Sequence, residues 1–81
     1  MFDTNVALAT VKTMPEAQLA LYHGVDIEYI LHQVKKGIKV EMEHTTDKEV
    51  AREIACDHIR EIKDYYTRLE GMEKQAKYEN L

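Results

Sequence analysis

Ala51, Ala55, His58, Ile62, Tyr65, Leu69, Met72 and Ala76 follow one another at alternating steps of four and three residues. That spacing is a heptad seam, which in water is buried against another helix. No proline interrupts it, and Gly71 is the first glycine after Thr46. Thr46-Asp47-Lys48-Glu49 reads as a capping box at its start, so a long helix is expected over residues 46–76.

The rest of the chain must supply the partner. Thr13-Met14-Pro15-Glu16 also fits a capping box, with Thr13 as N-cap and Pro15 in the first turn. The following Glu16–His23 stretch predicts a short helix closed by Gly24. Asp26 can cap a second helix, in which Ile27, Ile30, Leu31, Val34, Ile38 and Thr45 keep to one side. Gly37 allows another reading, in which the helix ends there and Ile38, Val40 and Met42 alternate as a strand. A lone strand has nothing to pair with, so a helix to about His44 is expected. The result is an all-α fold: a helical hairpin with a short additional N-terminal helix, three helices in all. Residues 13–81 form one helical domain. Residues 1–12 read either as an arm or as a short helix capped by Asp3 or Thr4, and residues 77–81 are expected to fray.

Size limits what this fold can do alone. A chain of 81 residues is one domain, and it buries only roughly 60–65% of its unfolded surface. A core that small supplies no more than about 3–5 kcal/mol, so self-association or a protein partner is expected. Eleven Lys and Arg face fifteen Asp and Glu, a net charge of −4. That balance disfavours a nucleic-acid partner, whose phosphates are met by basic patches; Lys35, Lys36 and Lys39 make the densest basic cluster. No signal peptide and no membrane-length apolar run is visible, and the single Cys56 leaves no internal disulfide. The expected setting is cytoplasmic, without a membrane partner.

Two polar residues interrupt the apolar stripes, Glu41 in the second helix and His58 in the third. With His44 and Asp57 they suggest a buried polar network. Glu41-x-x-His44 also has the spacing by which helical bundles hold metal ions, so a divalent ion bound by Glu41, His44, Asp57 and His58 is the alternative. A turn near Thr45 offsets Glu41 and His58 by roughly 10 Å along an antiparallel pair, which disfavours a single shared ion. Hydrogen bonding is the simpler expectation, with the imidazole of His58 in the space left by Gly37. No catalytic residue is expected. Cys56 and His58 are two apart and point to different sides of a helix, and the chain contains no serine. Glu53, Asp57 and Glu61 form a solvated acidic edge. Tyr65 reads as a core residue of the seam. Tyr29, Tyr65, Tyr66, Leu69 and Met72 are the interface candidates, because tyrosine carries contact area with a polar tip.

Three segments, Gly37–Thr45 (GIKVEMEHT), Ile54–His58 (IACDH) and Tyr65–Leu69 (YYTRL), resemble a domain of unknown function found in bacteriophage and bacterial proteins. The resemblance covers residues 34–73. It implies a phage or prophage setting, in the host cytoplasm or the virion, and it places Glu41, Glu43, His44, Asp57 and His58 within the family's motif. It brings no activity. Arg60-Glu61-Ile62-Lys63 stands where the pattern has an acidic residue followed by proline, so here the helix is expected to run on. The function expected is a non-catalytic interaction protein, a virion component or host-factor inhibitor, that binds itself or another protein and needs no cofactor.

Overall fold

The computed structural model describes residues 13–79, with side chains as far as Lys77. The expectations for residues 1–12 and for the last two residues lie outside this range. Four helices are described, α1 (Glu16–His23), α2 (Ile27–Glu41), α3 (Lys48–Glu61) and α4 (Tyr65–Glu79), with no strand among the described residues. The chain is all-α, but with four helices where three were expected. None of the described helices is long and apolar enough to cross a membrane.

The stop of α1 follows the sequence. Gly24 takes the left-handed conformation, φ 67° and ψ 39°, and the next amide, of Val25, returns to the carbonyl of Ala20 at 3.0 Å. Its start does not. Pro15 is the N-cap and no side chain caps the helix. Glu16, expected to reach back to Thr13, is instead taken by Arg52 of α3 in two bonds of 2.6 and 2.9 Å. A charged two-pronged bond outcompetes a neutral cap. At α3 the cap moves by one residue. Asp47, not Thr46, accepts from the amides of Glu49 (2.9 Å) and Val50 (3.3 Å). A carboxylate at a helix N-terminus has the advantage of charge over a hydroxyl. Asp26 stands at the N-cap of α2 without a side-chain bond.

The hairpin of α2 and α3 is the most extensive contact among the described helices. α2 passes through Gly37 without a break and ends at Glu41, three residues before the expected end, in a turn over 42–44. Leu19, Ala20, Ile30, Val34, Ala55, Cys56, Ile59 and Tyr66 form the core. Fully burying a Leu or Ile contributes roughly 1.5–3 kcal/mol, so Leu19, Ile30 and Ile59, each 0% exposed, are its main apolar weight.

The long third helix is corrected. It breaks at Ile62, whose φ of −136° and ψ of 109° are extended. No glycine or proline causes this. The bend turns Tyr66 back onto the hairpin, where it is 2% exposed, and tertiary burial overrides the local helical pattern. Asp64, immediately before α4, is the kind of residue that starts a helix. The seam therefore divides. Ala51 and Ala55 are fully buried, whereas Ile62 (40%) and Met72 (68%) are exposed and Leu69 is half-buried. α4 lies beside α2 and runs in the same direction, since Gln33 meets Thr67 and, one turn on, Lys36 meets Glu70. That neighbour rotates the buried face of α2 towards Gln33, Gly37 and Glu41 and leaves Ile27 and Leu31 partly in water.

Candidate functional site

Gly37 is buried against α3 and α4, with no room for a side chain. A Cβ there would lie 2.6 Å from the Cβ of Ala55 and 2.5 Å from Cε2 of Tyr66. The space was expected to hold the imidazole of His58; it holds the ring of Tyr66 instead. The hydroxyl of Tyr66 donates to Oε2 of Glu41 at 2.9 Å. Nδ1 of His58 stands 3.0 Å from the same hydroxyl and 3.4 Å from the same carboxylate oxygen. The phenol has one hydrogen, and Glu41 takes it, so Nδ1 of His58 serves as the donor to this oxygen pair. Tyr65 covers the imidazole, stacked at 4.4 Å and 24°, and meets Tyr66 edge-on at 4.9 Å.

The expected offset of roughly 10 Å along the pair does not keep Glu41 and His58 apart, because their side chains reach towards each other across it. Each Cα–Cβ bond leans towards the N-terminus of its own helix. In an antiparallel pair those leans converge, and here they meet beside Gly37 and Ala55. Burial raises the pKa of Tyr66 well above the usual phenol range, and its bond to Glu41 raises it further. The hydroxyl therefore keeps its proton, and its role as donor, around neutral pH.

The four residues expected in one network do not all join it. Glu41, 7% exposed, and His58, half-buried, come together; His44 and Asp57 are exposed. Among the described residues no group of three His, Cys, Asp or Glu could hold a metal ion. Tyr66, expected at a surface, is the centre of the cluster, while Tyr65 is only half-buried. Tyr29 and Met72 are exposed, as interface candidates must be. Sequence reasoning missed Tyr66 and also Gln33, 2% exposed, whose amide donates to Thr67 at 2.6 Å; its Oε1 has no partner among the described residues. The available signal was the motif, since Gly37, Glu41, His58, Tyr65 and Tyr66 all fall in the three motif segments.

Chemically, the cluster is a clamp. It joins the end of α2, the last turn of α3 and the start of α4 through one hydroxyl, and it presents no activated nucleophile. Cys56, the nearest candidate, is fully buried, and burial pushes its thiol up to about 11. An uncharged thiol is unreactive.

Fold and cluster together define a small all-helical domain whose last helix is fastened to a hairpin by a buried Glu–Tyr–His cluster. The chain belongs to a family described as protein of unknown function (DUF5661), whose signature matches residues 6–75. The match is wider than residues 34–73 and takes in α1 and part of the segment before it. No curated protein and no solved structure matches the chain.

Proposed function

We propose that this protein is a non-catalytic interaction module that self-associates through the exposed stripe of α4, working in a phage or prophage setting. The observation that carries this reading is the outer half of α4. Every residue from Glu70 to Lys77 is exposed, Met72 at 68%, and the bonds that tie the helix to α2 and α3, from Tyr66, Thr67 and Glu70, lie in its first half. A helix segment of roughly ten residues is marginal in water on its own. Leu69, Met72 and Ala76 share one side of it and offer a second copy an apolar line. The phage setting rests on the motif resemblance alone. Light scattering at tens of micromolar tests the association; a mass that stays at one 9.5 kDa chain removes it.

A second reading has one observation in its favour, the approach of His58 and Glu41 to 3.4 Å. Two such donors, joined by ligands from a second molecule, form part of a divalent-metal site. Elemental analysis of untagged protein, with melts in chelator and in added zinc, iron or manganese, tests it. Absence of metal and an unchanged melt dismiss it.

A further inference from the structure

On the flank of α2 away from α4 lies a groove of about 330 Å³, lined by Leu31, Val34, Lys35, Ile38, Lys39 and Lys48. Its floor is apolar, with Leu31 44% exposed. Its rim is three lysines, and none of them has an ion pair among the described residues. The outer edge of α3 is the counterpart of this groove. Glu53, Asp57 and Glu61 follow one another there at steps of four, all exposed and likewise without an ion pair among the described residues. Val50, 39% exposed, and the half-buried Ile54 put apolar surface on the same side of the helix. We propose that the groove of one copy receives this α3 edge of a second copy, with Val50 and Ile54 against the floor and the carboxylates among the lysines.

Geometry makes the contact intermolecular. Lys48 and Asp57 both lie on α3, about two and a half turns apart, so groove and edge stand on opposite sides of that helix. The edge cannot turn back into the groove of its own chain. The two surfaces also have the same length and pitch. Leu31 to Lys39 and Glu53 to Glu61 each span roughly 12 Å of helix, and within each the charges of one row are roughly 6 Å apart.

The attraction is divided between the two kinds of surface. Burial of Leu31 and Val50 supplies the non-directional part, while the opposed charges fix register and reject other faces. Lysine stems can lie along the apolar line with their ammonium groups at the carboxylates. The net charge of −4 does not forbid the approach, since charges farther apart than roughly 8 Å are screened at physiological salt. A patch this short is small beside the interfaces of permanent dimers, so the contact is weak and dynamic. It uses no residue of α4, and the α4 association and this one stand or fall separately.

The test uses the full chain carrying Met72→Glu, which removes the α4 stripe from the measurement. Sedimentation up to about millimolar protein should show a mass above one chain, with an association constant that falls about tenfold between about 20 and 500 mM salt. Lys35→Glu with Lys39→Glu should abolish the association. Glu53→Lys with Asp57→Lys should abolish it as well, although that pair lowers the net negative charge and with it the general repulsion. All four substitutions together exchange the signs of both surfaces and should restore it. Circular dichroism checks that every variant keeps its helices. A single-chain mass at every concentration and salt overturns the proposal and leaves the groove to another occupant. Association that survives either charge reversal overturns it too, as does a folded fourfold variant that stays a single chain.

Discussion

Two glycines in helices carry opposite consequences. Alanine in a helix interior is favoured over glycine by about 1 kcal/mol. At Gly71 a Cβ meets nothing within 4 Å, so Gly71→Ala is expected to stabilise the fold by up to about that amount. At Gly37 the same methyl would be forced into Tyr66 and Ala55, and both neighbours are themselves packed. Overpacking of this kind costs about 1–3 kcal/mol, more where backbone must move. Gly37→Ala should therefore lower the urea midpoint while Gly71→Ala raises it; equal shifts would mean the Tyr66 ring does not sit on Gly37. Tyr66→Phe tests the clamp itself. It keeps the ring and removes the one proton that Glu41 Oε2 receives from the phenol, leaving a carboxylate that is 7% exposed with only the 3.4 Å approach of His58. An under-satisfied buried acceptor costs about 1–3 kcal/mol. Urea unfolding should show that loss, and an unchanged midpoint would reduce the cluster to an accident of packing.

At the scale of helices, α1 is short and is fastened by few bonds: the Glu16–Arg52 pair and the bond from His23 Nε2 to the Ile59 carbonyl at 2.7 Å. Arg52 holds the Glu16 carboxyl below its ordinary 4.5. Its folded pKa is depressed, so the pair stabilises the fold above about pH 4.5 and the contribution disappears as pH falls through the lower folded value. The side chains are 19% and 29% exposed, which limits the effect to the order of 1 kcal/mol. Arg52→Gln should thus melt below the parent protein at pH 7 and approach it near pH 3; a gap independent of pH would place the role of Arg52 in packing. These helices also show what the sequence could reveal. Periodicity and Gly24 located α1 and α2, because a left-handed stop and an apolar stripe are local properties. The break at Ile62 was not legible, since its cause is the burial of Tyr66 against Gly37, 29 positions away in the chain. The same distance hid the cluster. Glu41 and His58 stood out as polar residues in apolar stripes, but the hydroxyl that joins them belongs to a tyrosine that only the bend brings inward.

For the whole molecule, the bend that buries Tyr66 has a consequence at the opposite end of α4. A straight α3 would have carried Leu69, Met72 and Ala76 along one seam; the bend keeps Leu69 partly covered and leaves Met72 and Ala76 in water. The side chains of that outer half are exposed, and a short, solvent-exposed stretch of helix opens with little free-energy cost. Amide exchange at residues 71–77 should therefore be fast in dilute protein. If a second copy covers the stripe, protection there must rise with concentration, while exchange in α2 and α3, already held by the core, does not change. Met72→Glu keeps the helical propensity of the position but sets a charge on the stripe, so it should abolish the concentration dependence without lowering the urea midpoint. Protection at 71–77 that stays low from micromolar to millimolar protein would show that α4 meets no second copy, and its exposed half would then need a different partner to account for it.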